Sequence, residues 1–451
     1  MTASIIDSEY YGSTFGDPRV KKIFNDEGRF DSWLKTEAAL ARSQARVGMI
    51  PMEAAISITN AAKVENLDIK KMTEEYQKVG FPILPLVHEL ARCCDPESAR
   101  WVHWGATTQD IIDTGLSLQM REAFIIIESQ LNSLISAVAK LSQEHSTSVM
   151  PGRTFQQHAA PITFGFKTAI WLDELLRHRD RLPELRKRAL VCQYGGAVGT
   201  LATLENKGLT VLKELSSELG LEEPSITWHT SRDGWAEAIF WIAMVGATLS
   251  KIANEVATLM RTEVDEIREP YESGKGGSST MPQKRNPVAC PIIMAIGNRL
   301  RGNVSSQLTA MIQEHERSVS SMPLEWLLIP ESFVLLSGSF QLAIPMIEGL
   351  QVDKKQMLGN LSMGGGLLMA ESVMMAIAPK VGRNSAHDIV IGAASRAWDK
   401  GITLRESLID DERVREYLSI DEIDELIDPA NYIGSSDEMI QRVLNKVSDD
   451  K

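Results

Sequence analysis

The chain has 451 residues, of which 43% are hydrophobic and 24% are charged, a composition typical of globular proteins. A chain of this length is too long to fold around a single hydrophobic core, so two or three domains are expected. Lys and Arg number 47 against 60 Asp and Glu, a net charge of −13 with no long basic run, which argues against nucleic acid or an anionic membrane as a general partner.

The N-terminus has no basic segment followed by an apolar stretch, and no run of 18 apolar residues occurs, so we expect a cytoplasmic protein with no membrane span. Four cysteines occur without a Cys-x-x-Cys pair. This usage favours reduced thiols and gives no support for zinc, so we expect no metal and no cofactor.

The chain is predicted to be all-α, beginning with an N-terminal domain of shorter helices over residues 1–108. Long stretches of apolar periodicity follow, near residues 111–145, 161–190, 234–267 and 288–313. They predict a central long-helix bundle domain over 109–350. A C-terminal helical domain is expected over 351–451.

The clearest of these helices is predicted to begin near Gly234 and to run toward Ile267. Its apolar residues recur at spacings of three and four, as Ile242, Val245, Leu249, Ile252, Val256 and Leu259. A helix of about 30 residues spans roughly 45 Å, and helices of that length pack in bundles. The alternative, a coiled-coil dimer, requires a more sustained heptad repeat.

Glycines interrupt the chain between the predicted helices. Pro151-Gly152 precedes the second long stretch, and Gly-Gly-Ala-Val-Gly follows it at residues 195–199. The second run lacks the glycine spacing and the strand–turn–helix context of a dinucleotide fingerprint. It indicates a tight crossing between bundle helices.

A first group of polar side chains lies where the second helical region begins. The segment at 101–110 reads Trp-Val-His-Trp-Gly-Ala-Thr-Thr-Gln-Asp. Thr107, Thr108 and Gln109 offer neutral donors suited to a carboxylate, and Asp110 can cap or orient the helix that follows. Taken alone, this segment indicates the start of a helix more than a binding site.

A second group lies between two long helices, where residues 274–287 read Gly-Lys-Gly-Gly-Ser-Ser-Thr-Met-Pro-Gln-Lys-Arg-Asn-Pro. Glycines let the backbone approach a ligand closely. Ser278 and Ser279 supply hydroxyls, and cationic and amide donors follow at 284–286. Such a segment is suited to folding over an anionic substrate, although composition alone also fits a flexible surface loop.

The residues at 277–287 resemble the mobile catalytic loop of the fumarase/aspartase superfamily, Gly-Ser-Ser-x-Met-Pro-x-Lys-x-Asn-Pro, at every fixed position. The segment at 103–110 resembles the His-x-Gly-x-Thr-x-x-Asp substrate-binding segment of the same superfamily. The resemblance implies a three-domain fold with a central long-helix bundle.

A departure from the superfamily pattern occurs at Thr154-Phe155, where Thr-His is typical and the histidine serves the chemistry. Phenylalanine cannot transfer a proton, which puts a fumarase, aspartase or argininosuccinate lyase activity in doubt. His158 follows Phe155 one helical turn later. This segment, the segment at 103–110 and Trp-His-Thr at 228–230 resemble the bacterial 3-carboxy-cis,cis-muconate lactonising branch.

Adenylosuccinate lyase is the next relative by resemblance. The chain has its His-Glu-Arg triplet at 315–317, but the two later positions that hold a nucleotide phosphate are Met322 and Trp326. Neither residue supplies a charged or hydroxyl donor for phosphate, so a purine nucleotide substrate is disfavoured.

The resemblance implies an enzyme that transfers a proton next to a carboxylate of a small polycarboxylate, with intramolecular addition or elimination. Ser278 is assigned the proton transfer, with Ser279 as the runner-up, and His158 is a second catalytic candidate. The remaining candidates would bind substrate: His103, Thr107, Thr108, Gln109, Thr154, Ser279, Lys284, Asn286 and Arg317.

The resemblance also implies a homotetramer whose active sites are shared between subunits, since packing copies of the bundle antiparallel would bring the three clusters together. Two other functional classes stay open. One is a C–N or C–O lyase that releases fumarate or a related acid. The other is a non-catalytic helical scaffold, against which the intact loop residues Ser278, Lys284 and Asn286 speak.

Overall fold

The structure is a computed structural model that describes residues 4–270, 281, 284–318 and 320–448. The chain is 69% helical, which confirms the prediction of an all-α fold. It divides into two compact units. The first unit contains Met1–Leu131, His178–Leu249 and Ile293–Leu342, and the second contains Asn132–Arg177, Ser250–Ile292 and Ala343–Lys451. The three domain limits expected from the sequence stay a prediction.

Six α-helices come first, five of them with 4 to 11 residues and one with 21. They are α1 (Pro18–Phe24), α2 (Asp26–Arg46), α3 (Met52–Ala61), α4 (Ile69–Val79), α5 (Ile83–Cys93) and α6 (Pro96–Ala99). Four of them, α1, α2, α4 and α6, begin with a side-chain cap from Asp or Asn. The Asn25 side chain, for example, accepts a hydrogen bond from Gly28 N at the beginning of α2.

The long helices occupy the middle of the chain. They are α7 (Thr108–Glu144), α8 (Phe164–Ala189), α10 (Asp233–Leu259), α11 (Ala289–Ala310) and α12 (Ser321–Glu348), with the shorter α9 (Gly208–Leu219) between α8 and α10. The six apolar residues of α10 from Ile242 to Leu259 are all at most 1% exposed. The predicted apolar seam is therefore part of the interior.

Helix α10 ends earlier than predicted, at Leu259 instead of near Ile267. After Leu259 the chain turns back on itself, because Asp265 N donates to Arg261 O and Glu266 N donates to Leu259 O. Ile267 then belongs to a short strand, β3 (Ile267–Arg268). This strand pairs antiparallel with β4 (Gln351–Val352).

A β-hairpin in the second unit was not predicted. Strands β1 (Val149–Thr154) and β2 (Gln157–Thr163) pair antiparallel, with Thr154 opposite Gln157. The two residues between them, Phe155 and Gln156, have φ values of 50° and 66°, the signs that a type I′ turn requires. The interpretation that His158 follows Phe155 by one helical turn is therefore wrong, because His158 lies in a strand opposite Arg153.

The C-terminal part of the second unit is built from seven helices. They are α13 (Lys354–Ser362), α14 (Ala370–Val381), α15 (Arg383–Lys400), α16 (Leu404–Ile409), α17 (Glu412–Arg415), α18 (Ile420–Leu426) and α19 (Ser436–Ser448). Buried side chains of α14 to α18, including Val373, Ile377, Val390 and Leu408, form one apolar cluster. This part of the chain therefore has its own hydrophobic core.

Within the first unit, helices α2 and α7 approach each other closely at Gly115. A Cβ at this position would lie 2.6 Å from Trp33 Cδ1 and 3.0 Å from Ser32 Oγ. Only glycine leaves room for the α2 side chains here.

Within the described residues, three helices are long and apolar enough to span a membrane by length and composition. They are α7, α10 and α12, with mean hydropathies of 1.3, 1.4 and 1.6 over their most apolar windows. Of these windows, 50%, 72% and 67% are buried inside the protein. The expectation of no membrane span stays a prediction.

Candidate functional site

The buried carboxylate of Asp110, in the first turn of α7, organises the candidate site in the first unit. It accepts hydrogen bonds from Thr107 N at 3.0 Å, from Gly195 N at 3.0 Å and from Gly196 N at 2.9 Å. A fourth contact joins its Oδ1 to His229 Nε2 at 2.7 Å. One carboxylate thus holds together three segments that are distant in the sequence.

The glycine run at 195–199 is a tight turn that permits this approach. A Cβ on Gly195 would lie 2.2 Å from Thr227 Oγ1, and Gly196 and Gly199 have φ values of 73° and 87°. Glycine is therefore required for close packing and for the left-handed backbone. The turn lies beside the site because its backbone N–H groups, from Gly195 and Gly196, donate to Asp110.

His229 is a site component that the sequence reasoning did not name as a functional residue. Because an ionised carboxylate only accepts hydrogen bonds, its partner Nε2 carries the proton. The other ring nitrogen, Nδ1, is buried and has no hydrogen-bond partner among the residues that the structure describes. The only sequence signal for this residue was the likeness of Trp-His-Thr at 228–230 to the lactonising branch.

Arg317 and Gln109, both predicted to bind substrate, contact each other directly. Arg317 Nε donates to Gln109 Oε1 at 3.2 Å, and Arg317 Nη2 donates to Ala197 O at 3.0 Å. Gln109 is only 2% exposed, while Arg317 is half-buried. The segment that contains the His-Glu-Arg triplet is therefore joined to the start of α7 within the first unit.

His103 forms an ion pair that could not be foreseen, since its partner is 66 residues away on α2. Its Nδ1 lies 2.6 Å from Oε1 of Glu37, which is buried. Burial pulls the pKa of His103 down, but the attraction of the Glu37 carboxylate outweighs it and raises this pKa above its ordinary value. The φ of His103 is 59°, a conformation that is uncommon for a residue other than glycine.

The two threonines of the same segment complete the first-unit group. Thr107 and Thr108 are half-buried. Their hydroxyl groups make no hydrogen bond within the described residues, so they remain available to a ligand. The structure thus brings five predicted binding residues into one unit: His103, Thr107, Thr108, Gln109 and Arg317.

The other predicted residues belong to the second unit. Thr154 is exposed near the hairpin tip, Lys284 is exposed, and Asn286 is half-buried. Ser278 and Ser279, the candidates for proton transfer, lie outside the described residues. The roles of all five residues stay predictions.

His158, the second catalytic candidate, is half-buried in β2. Burial lowers its pKa, and the nearby Arg153 guanidinium lowers it further. Arg153 itself is paired with the buried Glu266 at 2.6 Å. His158 is therefore favoured as a neutral imidazole at neutral pH, a form suited to accepting a proton.

Glu269 anchors the chain directly after the glycine-rich segment. Its carboxylate accepts from Val288 N at 2.8 Å, Ala289 N at 3.1 Å and Cys290 N at 3.0 Å. Val288 immediately precedes α11, and Ala289 and Cys290 are its first residues, whose N–H groups have no partner inside the helix. The end of the signature segment is thus tied to the residues that precede it.

The comparisons agree with this architecture. The lyase family matches residues 14–302, and the adenylosuccinate lyase C-terminus family matches residues 366–443. The 3-carboxy-cis,cis-muconate cycloisomerase of Pseudomonas aeruginosa is 42% identical, over 97% of this chain and 96% of the relative. The N-acetyl-S-(2-succino)cysteine lyase of Dickeya dadantii is 35% identical, over 98% of both chains.

A solved structure is also similar. The 3-carboxy-cis,cis-muconate lactonizing enzyme from Pseudomonas putida superposes with a TM-score of 0.92 at 37% identity, covering 98% of this chain and 99% of the other. The chain therefore belongs to the lyase family of the fumarase/aspartase superfamily. It is an enzyme, a cycloisomerase or lyase of that superfamily, with the fold that the signature segment implied.

Proposed function

We propose that the protein is a 3-carboxy-cis,cis-muconate cycloisomerase-like enzyme that acts on a small polycarboxylate. The main observation in support of this proposal is a group of hydrogen-bond donors that contacts with the Asp110 carboxylate and with Gln109 hold together. It gathers the two free threonine hydroxyls and Arg317, which are suited to carboxylate oxygens. Full-length relatives with this activity support the choice of substrate class.

The chemistry needs no cofactor in this proposal. One carboxylate oxygen of the substrate forms a C–O bond to an alkene carbon, and the π electron pair moves to the neighbouring carbon beside a second carboxylate. That carbon then takes a proton. Ser278 transfers the proton, while Lys284 and Asn286 stabilise the carboxylate on which charge develops.

The test of this assignment is a comparison of Ser278→Ala with Ser279→Ala, using loss of the ultraviolet absorbance of the conjugated 3-carboxy-muconate. Ser278→Ala is expected to lower turnover by several orders of magnitude with nearly unchanged affinity, and Ser279→Ala is expected to be milder. Equal losses, or a larger loss for Ser279→Ala, would refute the choice of serine. A wild-type enzyme inactive on muconates would refute the function.

A second candidate is a lyase that releases fumarate from a succinyl-type substrate. The relative that is a succinocysteine lyase favours it, since such an enzyme cleaves a C–S bond beside a carboxylate. The same donors serve this elimination, with the proton transfer reversed. Ser278 removes a proton from the carbon beside one carboxylate, and the C–S or C–N bond on the neighbouring carbon breaks to leave the unsaturated acid and a thiolate or amine. Assays with succinyl thioether and succinyl-amine adducts, following the absorbance of fumarate, separate the two activities.

We further propose a cytoplasmic homotetramer with sites shared between subunits, acting in the degradation of aromatic compounds. Phe155 supports the assembly, because this large apolar side chain is fully exposed at the tip of the hairpin, on a backbone with positive φ. A second copy of the chain would cover it.

Complementation tests the shared site. Inactive Ser278→Ala chains are mixed with inactive Thr107→Ala/Thr108→Ala chains, dissociated and reassembled. Partial recovery of activity is expected, because some sites then combine intact residues from both variants. Mixed oligomers that recover no activity would refute the sharing of sites.

A further inference from the structure

Gln109 has no N–H group left for a substrate. Its Nε2 donates to His229 O at 2.8 Å and to Asp113 Oδ2 at 3.1 Å. Both partners are acceptors only, so the amide nitrogen must face them and the amide oxygen must face Arg317. The orientation of this side chain is therefore set by the protein.

Asp113, one helical turn after Gln109, is itself held in place. Its two oxygens accept from Arg232 Nη1 at 2.7 Å and Nη2 at 3.1 Å. The same guanidinium is paired with Glu325 at 2.7 Å. It also lies 5.0 Å from the ring centre of Trp228 and 4.1 Å from that of Trp235.

This buried cluster joins three segments that carry or adjoin site residues. Asp113 lies on α7 after the threonines, Arg232 immediately precedes α10, and Glu325 lies in the first turns of α12, after the segment that contains Arg317. The side chains of the three charged residues are at most 1% exposed. Rotation of any one of them would leave a buried charge without its partner, which is costly.

The series of contacts from Arg232 through Asp113 and Gln109 ends at Arg317. Its Nε and Nη2 are used by Gln109 and by Ala197 O. Nη1 makes no hydrogen bond with the residues that the structure describes, so its two N–H groups are left as donors. A guanidinium fixed at one side presents the remaining donors to a carboxylate in a defined direction.

We propose that Gln109 is a positioning residue that acts through Arg317, and that the Asp113–Arg232–Glu325 cluster fixes its amide. This replaces the direct contact between Gln109 and substrate that the sequence predicted. The inference rests on the proposed function only in taking the ligand to be a polycarboxylate. Arg317, and not Gln109, then contacts the substrate carboxylate.

A double-mutant cycle tests this inference, with calorimetric binding of tricarballylate, a saturated tricarboxylate, as the probe. Gln109→Met, which keeps the side-chain volume, is expected to weaken binding about tenfold, since a hydrogen bond to a charged group is lost. In the presence of Arg317→Ala, the same change is expected to have no further effect. Losses that multiply in the double variant would overturn the inference, because Gln109 would then bind the ligand independently.

Gln130→Met is the matched control. Gln130 is another buried glutamine of α7, and its Nε2 donates to Asp17 Oδ2 at 3.1 Å. It lies 21 residues further along the helix, a separation of about 30 Å. Both glutamine variants are expected to lower the unfolding midpoint, but only Gln109→Met should weaken binding. Equal weakening by Gln130→Met would show a general loss of packing and would refute the positioning role.

Failure of the positioning role can be distinguished from failure of the proposed function. If tricarballylate binding follows the expected cycle but muconates are not converted, the function fails and the positioning role stands. If muconates are converted while the effects of Gln109→Met and Arg317→Ala multiply in the KM, the function stands and the positioning role fails.

Discussion

Replacing Arg232 by methionine should destabilise the protein strongly, since the guanidinium is the only cation contacting two buried carboxylates in the described part of the first unit. Asp113 and Glu325 lie 2.7 Å from it, and all three side chains are at most 1% exposed. Removing one partner of a buried pair leaves an uncompensated charge, at a cost of about 3–5 kcal/mol. Arg232→Met should therefore remove a large part of a typical stability of about 5–15 kcal/mol.

The assay is urea unfolding at a fixed protein concentration, with Arg188→Met as the matched control. Arg188 makes two hydrogen bonds to Glu237, at 2.7 and 2.6 Å, but these side chains are 53% and 41% exposed. An exposed pair of this kind contributes at most about 1 kcal/mol. Equal shifts in the unfolding midpoint for the two variants would refute the argument from burial.

The pH dependence supplies a second check. Burial raises the pKa of Glu325, against the opposing attraction of Arg232. Without the guanidinium this folded-state pKa should rise further, while the unfolded value stays ordinary. The folded state then binds the extra proton, so stability is retained below the unfolded pKa and lost as the pH rises through the folded pKa. A penalty for Arg232→Met that did not grow from pH 5 to pH 8 would contradict this reasoning.

Two further variants test contacts of α2. Glu37→Gln should lower the pKa of His103, because the carboxylate that raises this pKa is removed. Titration of the His103 ring by NMR measures the change, and an unchanged or higher pKa would count against the pair. Gly115→Ala should destabilise by about 1–3 kcal/mol in thermal unfolding, because its Cβ would lie 2.6 Å from Trp33, whereas Gly302→Ala, with no atom within 4 Å, should be neutral or stabilising. Equal effects of the two glycine variants would exclude a steric cause.

Two sequence motifs predicted part of the site. The superfamily was identified from the signature segment at 277–287 and the segment at 103–110. A backbone that approaches a ligand closely can use only a few residue types, so such segments have a recognisable sequence. The role of Asp110 in orienting the start of α7 was also foreseen. Its partners were not, since Gly195 and His229 lie 85 and 119 residues further along the chain.

The amino-acid sequence by itself determined the long helices, because the apolar spacing of three and four along α10 is a local property that directs one face of a helix into the interior. Only the tertiary structure decided the hairpin at Phe155, the pairing of His103 with Glu37 and the orientation of the Gln109 amide. Each of these depends on which distant backbone or side chain supplies the missing donor, acceptor or opposite charge. Local periodicity contains no information on those partners, since they meet only when the helices pack.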